Sequence, residues 1–154
     1  MTPSKSPLPI LGTWKLTSCE SSRPDLPHPV SGITVFTQEG NTIHYSNDGV
    51  WSNGRISTAS AVLELGDNWY PISGSLLADS LSLRLLPDGS YEARGRKGEI
   101  DVLTLHSSIS ADGRTMTGEW HVAGVGEEAI TWRTTSERLA SIETNLDTCV
   151  RKAP

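Results

Sequence analysis

Several things are scarce in this chain, and each scarcity removes a class of function. Among 154 residues there are two cysteines and one phenylalanine. No apolar run reaches the roughly 18 residues that a membrane-spanning helix requires. Two cysteines so far apart, Cys19 and Cys149, make no zinc motif, and the four histidines show no ligand spacing, so no metal is expected. Basic residues are outnumbered, leaving a formal charge of −5, the wrong sign for a general nucleic-acid binder. The local cluster Arg94, Arg96 and Lys97 reads as a solvated hairpin tip. There is no Gly-x-Ser-x-Gly elbow, phosphate-cradling loop, dinucleotide fingerprint or His-x-x-x-His pair. Chemistry run by this chain would therefore use no cofactor.

The amino terminus, Met1 to Pro9, holds one lysine and lacks the apolar core of a secretory signal. A cytoplasmic location follows as the expectation, with a trimmed precursor as the alternative. In that compartment free thiols are expected ahead of a Cys19–Cys149 bridge. Residues 1–9, rich in proline, are expected to form a disordered tail.

What the chain has in quantity is turn chemistry, with 14 Gly and 9 Pro punctuating short runs of Thr, Ser, Val, Ile and Leu. Leu11 to Leu16 begins the first strand, with Gly12, Trp14 and Leu16 on one face and Thr13, Lys15, Thr17 and Cys19 on the other. Glu20 to Pro29 is a proline-rich loop placed to act as a lid. Strands then follow at close spacing. They break at Glu39-Gly40, Asn47-Asp48-Gly49, Asn53-Gly54, Gly66-Asp67, Gly74, Pro87-Asp88-Gly89, Lys97-Gly98, Asp112-Gly113 and Gly124–Gly126. No helical period interrupts them until Ser136. From there Leu139, Ile142, Leu146 and Val150 recur at helical intervals, and Thr134 and Glu137 stand three apart as in a capping box. One helix over 136–150 is predicted, packed on the barrel.

An antiparallel meander protects its edges by closing or by stacking as a sandwich. Sandwich crossovers need longer connections than those present after residue 30. The expectation is an all-β, closed antiparallel up-and-down barrel of 8–10 strands over 10–135. Such a barrel encloses one small ligand or a filling of side chains. Five Trp against one Phe favour a pocket for a flat or lipophilic molecule, since indole pairs a large apolar face with one N–H donor.

The candidate ligand-binding residues are Trp51, Trp69, Tyr70, Leu83, Met116, Trp120 and Trp132, with Trp51 and Trp69 near the rim. Tyr45, on the face carrying Ile43, and Tyr70 and His106 are the candidate acids or bases. His106 shares a face with Val102 and Thr104 and is solvated if the Leu103–Leu105 face is the interior. A homodimer through an exposed sheet face is compatible with the sequence, which does not determine it.

Gly12-x-Trp14, a barrel of about eight strands and a late helix resemble the lipocalin, or calycin, group. That group includes the fatty-acid-binding proteins and the avidins. In lipocalins this Trp lies under an Arg from the last strand or just after it, and strand parity favours Arg138 over Arg133 for that part. Residues 42–134 resemble a set of uncharacterised bacterial lipocalin-like proteins, through Trp69-Tyr-Pro-Ile-Ser-Gly, Ala78-Asp-Ser-Leu-Ser-Leu and Ser110-Ala-Asp-Gly-Arg-Thr-Met-Thr. The Thr-Asp-Tyr motif of typical lipocalins and the biotin-binding pattern of avidins are both missing. The resemblance implies binding of a small hydrophobic or aromatic molecule in the barrel. A cofactor-independent isomerase or cyclase, working on a polyketide- or terpenoid-like chain in the same cavity, is the alternative.

Overall fold

The inside–outside alternation of a half-buried strand is cleanest in Ile56–Leu63, where exposed and buried residues alternate at every step. Ser57, Ala59, Ala61 and Leu63 point inward, so three of the four inward side chains are small. The structure, a computed structural model, describes residues 8–123 and 129–139. Ten strands run in chain order: β1 (Gly12–Ser21), β2 (Pro29–Glu39), β3 (Thr42–Trp51), β4 (Ile56–Leu63), β5 (Tyr70–Ser73), β6 (Ser80–Leu85), β7 (Tyr91–Lys97), β8 (Ile100–Ile109), β9 (Thr115–Val122) and β10 (Ile130–Arg138). Each pairs antiparallel with its sequence neighbour, and β1 pairs with β10, which closes the barrel.

One end is plugged. Ile10, Trp14, Ile43, Leu63, Leu83 and Tyr91 pack together there, with Leu8 and Leu11 against them. The other end gathers Trp132, Val122 and Ile130, with Trp51, Trp120, Cys19, Leu26, Leu77 and Leu103 against them. The β1–β2 loop is stitched across this second end. Ser52 N–H donates to the His28 carbonyl at 2.8 Å, His28 N–H donates to Ser52 Oγ at 3.1 Å, and Leu26 tucks into the indole cluster.

Four expectations are corrected by this architecture. Ser136–Arg138 is strand, not the start of a helix: closure needs β10 long enough to pair with β1 from Ser21 to Trp14, and Ser136 and Glu137 pair with Leu16 and Lys15. Thr134 accordingly caps nothing, and its Oγ1 accepts the Trp120 indole N–H at 3.0 Å. Residues 140–150 of the predicted helix, Cys149 among them, lie outside the described residues. Leu8 and Pro9 belong to the folded structure, because Leu8 packs on the core and Arg138 binds the Pro9 carbonyl; residues 1–7 of the expected tail lie outside the description. Asn47-Asp48-Gly49 is the middle of β3, not a turn. Gly49 is needed there for close approach, since a Cβ on it would sit 2.9 Å from the Ser31 carbonyl oxygen across the ladder. Finally, a register shift between Leu16 and Ser18 carries Cys19 from the expected outer face to the indole cluster.

Candidate functional site

Between the two packed ends lies a cavity of about 210 Å³. It exists because inward positions on several strands are too small to fill the barrel: Ser57 and Ala59 on β4, Ala93 and Gly95 on β7, Ser107 on β8 and Gly118 on β9 all line it. Gly118 has a second role. A Cβ there would come within 2.7 Å of Thr134 Oγ1 and 3.2 Å of the Trp120 indole nitrogen, so glycine makes room for the Trp120–Thr134 hydrogen bond.

The mouth end of the cavity is aromatic. Trp51 meets Trp132 edge to face with ring centroids 5.5 Å apart, and Trp120 tilts against Trp132 at 5.7 Å. Trp132 is 1% exposed, and its indole N–H has no acceptor among the described residues. Phe36 and Tyr45 pack with ring centroids 5.3 Å apart on the β2–β3 wall. Beside them Asn47 Nδ2 donates to Thr34 Oγ1 at 2.7 Å.

Of the candidate ligand-binding residues, Trp51, Leu83, Met116, Trp120 and Trp132 line the cavity. Trp69 and Tyr70 are not among the lining residues. Trp69 is stacked by Arg96, 4.1 Å from guanidinium carbon to ring centroid, and by Arg94 at 5.3 Å. Tyr70 packs against the core at the plugged end. Its sequence position beside Pro71 carried no sign of this, because β5 is short and its pairing depends on distant strands.

The acid–base candidates separate in the same way. Tyr45 lines the cavity; Tyr70 and His106 do not. His106 is exposed on the outer face, its Nε2 2.9 Å from Ser90 Oγ. That serine donates its hydroxyl to Asp88 Oδ1 at 2.5 Å, and the bonds from Ser90 hold the Asp88 carboxyl below its usual range. Ser90, Asp88 and His106 are all absent from the cavity lining, so this cluster does not face a ligand held in the barrel. Among the described residues no group of three or more His, Cys, Asp or Glu is placed to hold a metal ion.

The plugged end is organised by Arg138. Its guanidinium carbon lies 4.3 Å from the Trp14 ring centroid. Nε donates to the Gly113 carbonyl at 2.7 Å, Nη2 to the Pro9 carbonyl at 2.5 Å and Nη1 to the Leu11 carbonyl. The Trp14 indole N–H donates to the Ile10 carbonyl at 2.8 Å. Gly12, with φ of +125°, leaves the space that Arg138 Nη1 occupies.

Burial shifts three acids upward, Tyr91, Tyr45 and Cys19. It pushes the Tyr45 phenol up to about 12, and burial followed by Glu20 repulsion pushes the Cys19 thiol up to about 11. Both are acids whose folded pKa exceeds the ordinary value, so the folded state holds its proton over a range where the unfolded state has lost it. The contribution of these two groups to stability is therefore full below pH 9 and falls as pH rises, from 9 to 11 through Cys19 and from 10 to 12 through Tyr45. Urea denaturation at stepped pH is expected to show this decline. Tyr45→Phe should flatten the part above pH 10; an unchanged slope in that variant would discard the assignment.

Asn47, Thr34 and Ser57 are polar lining residues that sequence reasoning missed, along with the small residues that leave the cavity open. The signal was present in the parity of β3, where Ile43, Tyr45, Asn47, Gly49 and Trp51 alternate, but Asn-Asp-Gly reads more strongly as a turn.

No family model matches the chain, and no curated protein sequence matches it. Solved structures match by shape. Zebrafish ileal bile acid-binding protein complexed with cholic acid aligns over 85% of this chain and 99% of its own, at 12% identity and a TM-score of 0.56. The S-type phycobiliprotein lyase of Guillardia theta aligns over 86% and 90%, at 12% identity and a TM-score of 0.55. Identity this low speaks to architecture alone. With its closed ten-strand meander, the chain has a calycin-like, lipocalin-type β-barrel fold.

Proposed function

We propose that this protein binds one small hydrophobic or aromatic molecule inside the barrel. The observation that carries the reading is the cavity within the barrel, walled by small residues and aliphatic side chains and lined at its mouth by three indoles. Filling such a space removes apolar surface from water on both partners, worth about 25 cal/mol per Å² of area buried. The solved barrels of similar shape include one complexed with cholic acid, which supports the same use of the fold.

The isomerase or cyclase reading draws less support. It requires a group that exchanges protons near neutral pH and faces the substrate. Among the described lining residues the ionisable side chains are Tyr45 and Arg94. The Tyr45 phenol is pushed up to about 12, and the Arg94 guanidinium stacks on Trp69, which is not part of the lining.

Titrating lipophilic compounds is expected to shift the intrinsic tryptophan emission. Trp120→Phe and Trp132→Phe should diminish the response, while Trp69→Phe should retain it. Silence across a broad panel, or a response that vanishes only with Trp69, would refute binding in the barrel.

A further inference from the structure

The size and chemistry of the cavity point to a narrower ligand class than the fold does; the inference rests on the binding reading above. Two quantities set the class. Sites for drug-sized molecules span about 300–1,000 Å³, and an apolar protein cavity of about 150 Å³ accepts benzene. At about 210 Å³ this cavity falls between them, which suits a compact one- or two-ring molecule of about eight to twelve heavy atoms. A steroid or a long acyl chain exceeds it.

Charge is the second constraint. No carboxylate, lysine or histidine is among the described lining residues, and the Tyr45 phenol is neutral at physiological pH; Arg94 keeps its charge but alternates with the inward Ala93 and Gly95 on β7 and holds its guanidinium over Trp69, outside the lining. An anionic or cationic ligand would enter without a counter-charge, at a large desolvation cost.

The cavity is not purely apolar, however. The Asn47 carboxamide is held by one hydrogen bond, from Nδ2 to Thr34 Oγ1. Its oxygen and second N–H have no other hydrogen-bond partner among the described residues, and neither atom is sealed away from a water-sized neighbour. Two glycines keep the space beside it open. A Cβ on Gly49 would lie 3.5 Å from Asn47 Oδ1, and one on Gly32 would lie 3.7 Å from Nδ2. A carboxamide so placed offers a donor and an acceptor to a ligand's polar edge. The indoles of Trp51, Trp120 and Trp132 offer the apolar surface toward the mouth.

We infer that the barrel selects an uncharged, compact ring molecule carrying one amide- or ketone-like polar edge, and that Asn47 is the residue that reads that edge. The test compares four probes on the full chain by calorimetry: naphthalene, isoquinolone, naphthoate and cholate. Isoquinolone and naphthalene share a shape and differ in the polar edge; naphthoate adds charge; cholate adds bulk. Wild-type protein is expected to bind the first two and to bind naphthoate and cholate at least about tenfold more weakly. In Asn47→Leu the ratio of isoquinolone to naphthalene affinity should fall about tenfold, the effect of one buried hydrogen bond lost with its partner left unpaired. A second reading needs no variant: the Asn47 side-chain amide resonances of wild-type protein should move with isoquinolone and stay nearly still with naphthalene. An unchanged ratio in a folded variant, or wild-type resonances that respond alike to both probes, would overturn the role of Asn47. Tightest binding by naphthoate or cholate would overturn the ligand class while leaving binding in the barrel intact. Binding of none of the four, together with silence in the broader emission panel, would remove the binding reading itself.

Discussion

Trp14→Ala is expected to destabilise the barrel by about 3–5 kcal/mol, the range for removing a large aromatic from a well-packed core. Trp14 is fully buried and sits where the plugged end is densest. The loss has three parts. A cavity opens between Ile10, Leu63 and Tyr91, because strands locked in a closed ladder cannot collapse into it. The Ile10 carbonyl loses its indole donor. The Arg138 guanidinium loses the ring face beneath it, a cation–π contact of about 0.5–2 kcal/mol. Urea denaturation followed by far-ultraviolet circular dichroism measures the effect. A change below about 1 kcal/mol would show that Trp14 does not anchor this end.

Gly12→Ala should cost about 2–4 kcal/mol, from a side chain forced into a left-handed backbone conformation and from displacement of Arg138. The methyl group and the Arg138 Nη1 atom cannot share the same space, so the guanidinium must retreat from the Pro9 and Leu11 carbonyls. The mechanism predicts strong non-additivity. In an Arg138→Met background the space is vacated and only the backbone term remains, so Gly12→Ala should then cost about 1–2 kcal/mol less. Strictly additive stabilities in this double-mutant cycle would mean that the glycine and the arginine act independently.

The same residues mark how much of the fold is legible in the order of amino acids. The resemblance of Gly12-x-Trp14 to lipocalins implied an arginine over the ring from the end of the chain, and period-two geometry then selected Arg138 over Arg133. Short turn-bounded strands likewise imply closure, since nothing in them supplies a crossover. What escaped was pairing-dependent. The Leu16/Ser18 register shift that turns Cys19 inward depends on the partner strand β10, more than a hundred residues away. Asn47-Asp48-Gly49 carries turn chemistry, yet the glycine answers to the Ser31 backbone on the neighbouring strand. Local preference cannot register a neighbour that only the closed sheet supplies. Trp120 and Trp132 were legible as inward aromatics, whereas Trp51 and Trp69 both read as rim residues, and only the pairing separates Trp51, which joins the indole cluster, from Trp69, which lies beneath Arg94 and Arg96.

Ladder closure between the first strand and the last has a consequence for biosynthesis. As the chain leaves the ribosome, β1 acquires β2 at once but waits for β10, so one flank of the growing sheet stays unsatisfied until the tenth strand has emerged. That flank carries the bare backbone groups on which strand-to-strand clumping feeds. The window of vulnerability for this protein thus falls during translation, and whatever delays the emergence of Ile130–Arg138 lengthens it.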